Sequence, residues 1–148
     1  MKKSVLFCAL AASCSIFAQQ PQPVVGRAKT PISFAIVDPI QLPTHDWDVV
    51  GLRINCIYGR NVNFTGLDLG FINATDEVAV GLQIAAGGNY AREARAWQIG
   101  VINYAELLKG FQIGVVNYAG TAEGLQIGVV NVIADKDFSF MPIMNASF

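Results

Sequence analysis

Charge is scarce in this 148-residue chain, with Asp, Glu, Lys and Arg making up only 14% of it and histidine appearing once. No basic stripe is present to neutralise phosphates, which excludes a nucleic-acid partner. The single histidine, His45, sits beside Asp46, Trp47 and Asp48. A metal site needs three or four converging ligands, and neighbours along a strand or loop converge poorly, so a solvated loop is expected there. Beyond residue 18 the serines are Ser33, Ser139 and Ser147, with no G-x-S-x-G elbow and no phosphate-binding glycine loop. Of three cysteines, Cys8 and Cys14 precede residue 18, leaving Cys56 without an internal disulfide partner. No catalytic residue, cofactor or metal is therefore expected, and the chain does not read as an enzyme. Disorder is excluded too, because mean hydropathy is +0.41 and disorder requires low hydrophobicity with high net charge.

What is present begins with the three parts of a secretory signal. Lys2 and Lys3 form a positive start, Val5 to Ala12 an apolar run, and Ile16-Phe17-Ala18 a cleavage context. The apolar run is too short to span a membrane, which takes about 20 residues. A signal peptide is expected over 1–18 and a flexible, proline-rich leader over 19–30. Cys14 follows the small residues Ala11-Ala12-Ser13 but lacks a leucine three places before it, so it reads as an ordinary cysteine of the signal rather than a lipid anchor. Removing Lys2 and Lys3 from 10 bases and 11 acids leaves 8 and 11, a mildly acidic mature chain at −3.

The rest of the chain repeats itself. Seven copies align from Gly51, Gly66, Gly81, Ala96, Gly110, Gly124 and Phe138, spaced by 15, 15, 15, 14, 14 and 14 residues. Positions two, four and six of each copy are apolar save Ser139 in the seventh: Leu52, Ile54, Cys56 in the first, for example, and Phe111, Ile113, Val115 in the fifth. Strict alternation of this kind marks a half-buried strand with an apolar inner face, and Cys56 then reads as a small buried hydrophobe in that face. Position three carries Gln83, Gln98, Gln112 and Gln126. Position eight carries Asn73, Asn103, Asn117, Asn131 and Asn145, each time near the end of the strand. The third copy gains one residue at Gly87-Gly88, a bulge that delivers Asn89 to the same place. Short polar segments join the strands, and no helical period occurs, so the fold is all-β. The domain order expected is an N-terminal strand and loop over 31–50, then a seven-copy β-repeat domain over 51–148.

Two architectures fit a 14–15-residue repeat. In a β-solenoid each copy is one coil, equivalent positions stack about 4.8 Å apart, and glutamines and asparagines form hydrogen-bonded ladders. In an antiparallel meander, eight strands could close a small barrel with its apolar columns facing lipid. The solenoid is favoured. A meander would show a period near 28 residues with long loops on one side, and here odd and even copies do not differ. The strands also fall short of the 9–11 residues needed to span a membrane.

The tandem phrase G-x-Q-x-G-x-x-N-x-A, complete in Gly110–Ala119 and kept as far as its asparagine in Gly124–Asn131, resembles a family of uncharacterised bacterial surface repeat-containing proteins, secreted or lipid-anchored. Pro31–Ile36, Gly51–Arg60, Thr65–Gly70 and Pro142–Phe148 extend the likeness across about residues 31–148. The resemblance implies a bacterial source and an envelope address, with envelope components, surface proteins or the membrane itself as partners. It brings no catalytic residues. The chain departs from the pattern at Arg53, Asn55 and Asp68, which stand where later copies have Gln or Gly. Arg53 and Asp68 share a column and are expected to pair as a structural ion pair, interrupting any amide ladder at its start. Tyr90, Tyr104 and Tyr118 follow the asparagines and form either an exposed row for sugars or proteins, or a packing row at the coil edge. Residues 31–37 and Phe138 to Asn145 are expected to cap the two ends.

Overall fold

A computed structural model describes residues 26–148; the expected signal peptide and residues 19–25 of the expected leader lie outside the described residues. The described chain is a β-solenoid of about 6 turns with a repeat of about 14 residues, and contains no helix. It is not a barrel, which removes the antiparallel meander. Seven strands follow in order: β1 Lys29–Val37, β2 Ile40–Leu42, β3 Asp48–Asn61, β4 Phe64–Ile99, β5 Ile102–Ile113, β6 Val116–Ile133 and β7 Phe140–Ser147. Successive strands from β3 to β6 pair in parallel. Their registers place Leu52 beside Leu67, Gln98 beside Gln112 and Gln112 beside Gln126.

Strand boundaries do not coincide with copy boundaries. β5 runs from the second half of one copy through Gly110 into the first half of the next. At position one Gly51, Gly66, Gly81 and Gly110 adopt positive φ that a side chain would resist, and adjacent coils touch at this point, while the chain bends between strands at Gly100–Val101 and Gly114–Val115. At Gly81 φ is +117°, and a Cβ would lie 2.2 Å from the carbonyl oxygen of Gly66 in the coil below.

Both ends depart from the parallel stack. β1 is a partial coil, parallel to β3 and in register with it, with Ile32 beside Leu52 and Phe34 beside Ile54. It begins at Lys29, inside the stretch expected to be leader. The expected loop after it contains β2, three residues that pair antiparallel with β1 and form the edge of the sheet. At the other end β7 is not a seventh coil. It pairs antiparallel with β6, placing Asn145 opposite Gln126 rather than above Asn131. The copies before it rejoin one another through short turns, whereas Asp135–Phe138 reverses the chain with Lys136 donating to the Ala146 carbonyl. Short edge strands and the donor-less Pro142 in β7 limit further strand addition.

Candidate functional site

The alternation along each strand is present, but its polarity is the reverse of the expectation. The glutamines and asparagines point into the solenoid, and the apolar positions two, four and six point out. Gln83, Gln98, Gln112 and Gln126 are wholly buried, as are Asn73, Asn103, Asn117 and Asn131. Trp97 is 54% exposed, Ile113 38% and Val129 66%. Cys56, expected to be buried, is exposed in the same outer face.

Two amide ladders account for this inversion. Gln126 donates through Nε2 to Gln112 Oε1 at 2.8 Å, Gln112 to Gln98 at 2.9 Å, and Gln98 to Gln83 at 3.0 Å. The asparagine ladder runs in the opposite sense: Asn73 donates to Asn89 at 3.0 Å, Asn89 to Asn103 at 2.9 Å, Asn103 to Asn117 and Asn117 to Asn131 at 2.8 Å. The second amide hydrogens are used as well. Gln112 and Gln126 reach across the coil to the carbonyls of Tyr118 and Val132, and Asn117 reaches the Ile127 carbonyl of the next coil. A buried polar group is costly only when unpaired, and the strand spacing of about 4.8 Å sets flat amides at hydrogen-bonding distance from their copies.

The interior is otherwise narrow. Between the ladders lie small residues, chiefly Ala79, Ala91, Ala94, Ala105, Ala119 and Ala122, with Leu108 and Ile133 as the bulkier members. The glycine two places after Gln98, Gln112 and Gln126 leaves room for the asparagine amides: a Cβ on Gly114 would stand 2.6 Å from Asn103 Nδ2. The interior beside the ladders is filled by amides and small residues, and the aliphatics at positions two, four and six face outward.

The glutamine ladder is terminated, rather than interrupted, at its N-terminal end. Gln83 donates to Asp68 Oδ2 at 3.1 Å, and Asp68 accepts a bidentate pair from Arg53, Nε at 2.8 Å together with Nη2. Both partners are fully buried. Asn55 donates to Asp68 and to Asn73, tying the two ladders together, and Arg53 also donates to Asn61 and to the Ala74 carbonyl. The column pairing read from sequence is thus a buried ion pair whose remaining hydrogen-bonding capacity is used by the ladders. Buried oxygens without a hydrogen-bond partner remain at both ends, Asn55 Oδ1 here and Gln126 Oε1 and Asn145 Oδ1 at the other.

Tyr90, Tyr104 and Tyr118 stack on one another, with ring centroids 5.1 and 5.0 Å apart and planes within 9° and 5° of parallel. Stacking occupies the faces between neighbouring rings, while Tyr90 remains 41% exposed. The Tyr104 hydroxyl is held above the usual tyrosine range, first by partial desolvation and then by the nearby Glu106 carboxylate. His45 lies 3.1 Å from Asp46 and 3.9 Å from Asp38, an exposed loop cluster. Among the described residues no group of three or more His, Cys, Asp or Glu converges on a metal-sized space.

The surface feature that remains is the outer apolar face. Its central column runs Ile54, Leu69, Ile84, Ile99, Ile113 and Ile127, and pairing extends it past the coils at both ends. Phe34 lies beside Ile54, Leu42 of β2 beside Phe34, and Met144 of β7 beside Ile127. Antiparallel pairing preserves which side a residue faces, so the caps continue the face. No charged residue occurs at positions two, four or six of the six coils. Charges gather at the coil edges instead and compensate from coil to coil, Arg92 with Glu106 at 3.4 Å and Lys109 with Glu123 at 3.4 Å. Compared with protein-family models, with curated proteins and with solved structures, the chain matches none.

Proposed function

We propose that this protein is an exported, non-enzymatic repeat protein of the bacterial cell envelope, serving as a structural or interaction module through its outer apolar face. The observation that carries the reading is the extent of that face. Nine stacked rungs, the six coils with β1, β2 and β7, at about 4.8 Å and with three outward side chains on most of them, cover about 800 Å². The largest apolar patch on an ordinary monomer is about 300–600 Å² and is often functional. The interior supports the non-enzymatic part of the reading, because its amides are engaged with one another and with backbone. The export signal read over residues 1–18 supports the address, as does the resemblance of the tandem phrase to surface repeat proteins.

The test is fractionation of bacteria producing the full chain, alongside a version lacking residues 2–18. The full chain is expected in the envelope fraction with a mature N-terminus near Gln19 by mass spectrometry, and the truncated one in the cytoplasm. An unprocessed full chain in the cytoplasm would overturn the proposal.

A further inference from the structure

We infer that the outer apolar face is a self-association surface, and that two copies of this chain pack through it face to face about a two-fold axis parallel to the solenoid axis. The inference rests on the reading of this face as an interaction surface and names its partner as a second copy.

Three observations select that partner. The first is area: about 800 Å² on each copy is the size a standard stable interface buries per partner. The second is shape. The two outer columns differ in bulk, with position two holding Leu82, Trp97 and Phe111 where position six of the same copies holds Ala86, Val101 and Val115. A two-fold along the solenoid axis exchanges these columns while keeping each coil opposite its own counterpart. Trp97 then lies over Val101 of the other copy, Phe111 over Val115 and Leu82 over Ala86. Large side chains meet small ones, with Val101 and Val115 in the bends at the rim of the face, as sheets that interdigitate about 10 Å apart require. The contact is isologous and closes at two copies. The second coil departs from this rule, since Phe71 faces Leu67.

The third observation is charge. A lipid surface is the other flat apolar partner, and proteins that lie on membranes add basic residues around the apolar area to engage anionic headgroups. This chain has 8 basic against 11 acidic residues beyond residue 18. Arg60, Arg92 and Lys109 at the coil edges are paired with Asp76, Glu106 and Glu123. Nothing around the face draws it toward an anionic bilayer, whereas a neutral apolar face does not repel its own copy.

The experiment is sedimentation equilibrium of the mature chain at micromolar concentrations, with Ile99→Asp and Val115→Asp as two separate variants. Both positions point away from the interior, so circular dichroism should stay that of the parent. The expected result is a mass twice that of one chain for the parent and a single-chain mass for both variants. Phe111→Ala should weaken the dimer about tenfold, as truncation of a central aromatic anchor does. In a Trp47→Phe background, emission from Trp97 should shift to shorter wavelength as concentration rises. A monomeric parent overturns the inference, as does a dimer that persists in both aspartate variants. A parent that stays monomeric and binds neutral phosphatidylcholine vesicles through this face also overturns it. The outcome is separable from the fractionation test: an exported monomer would leave the proposed function standing without its partner, and a cytoplasmic dimer would do the reverse.

Discussion

The two sides of one strand obey opposite rules in this molecule. Along Phe111-Gln112-Ile113, the glutamine is wholly buried and the isoleucine is 38% exposed. In most half-buried strands the assignment is the other way, because burying apolar area at about 25 cal/mol per Å² outweighs anything a lone amide gains. Repetition changes the balance here. Each amide meets an identical amide one strand away, so burial exchanges water for protein partners at no loss of hydrogen bonds. Small interior residues bring the coil walls close enough for Gln112 to reach the Tyr118 carbonyl across the coil. Polar burial is therefore a property of the stack, and a single coil would have no reason for it.

The sharpest way to break that comparison is at the head of the ladder. Asp68→Ala leaves Arg53 buried without its carboxylate and removes acceptors used by Asn55 and Gln83. A loss of at least about 3–5 kcal/mol is expected, measurable as a collapsed urea midpoint. If Asp68→Ala unfolds at the parent's midpoint, the ion pair does not hold the ladders.

A paired exchange in the middle of the stack tests the inversion directly. Gln112→Leu orphans the Gln98 oxygen and one Gln126 hydrogen inside a close-packed space, for an expected cost of about 2–5 kcal/mol. Ile113→Gln, one residue away on the outer side, should change stability by about 0.5 kcal/mol or less below the concentration at which copies associate. If the outer substitution proves the more damaging of the two in the isolated chain, the inside and the outside have been assigned the wrong way round.

The regular coils and the C-terminal cap differ in a smaller respect. Ile143 in β7 has φ +72°, a left-handed conformation that a β-branched residue adopts only under strain. Ile143→Gly is expected to raise stability by up to about 1 kcal/mol, the relief of strain offset in part by glycine's extra chain entropy. A lowered melting temperature would show that the exposed side chain matters more than its backbone.

The smallest effect is expected at the exposed N-terminal edge. Arg27 donates to Glu77 at 3.0 and 3.3 Å, and that hydrogen bond holds the Glu77 carboxyl below its ordinary range despite some desolvation. A depressed carboxylate stabilises the folded state fully above its unfolded value of 4.5 and loses that contribution as pH falls through the lowered one. Glu77→Gln should therefore remove a shallow acid-side slope from the stability profile, lowering stability slightly at neutral pH and leaving it unchanged at low pH. An unchanged slope would assign the acid sensitivity to other carboxylates.

Much of this was legible before any coordinates. A period of 14 residues without odd–even differences implies parallel stacking, and parallel stacking implies that Gln98, Gln112 and Gln126 meet in register. Even the bulge at Gly87-Gly88 could be read, because it restores Asn89 to the asparagine column. The seventh copy misled: Asn145 keeps the spacing, yet the turn at Asp135–Phe138 sends β7 back antiparallel, and spacing alone carries no strand direction.

What the sequence determined by itself is the repeat, its register and the pairing of Arg53 with Asp68, since these follow from identical residues recurring at a fixed interval. What only the tertiary structure decided is which set of columns is inside. Alternation defines two faces without saying which is enclosed, and the usual preference for apolar burial gives the wrong answer for so narrow a coil. The decision falls to the width of the interior, set by Gly114, Ala105 and Ala119 together. Beside the ladders they leave a space that flat, mutually hydrogen-bonded amides fill, while Leu108 and Ile133 take up interior room elsewhere.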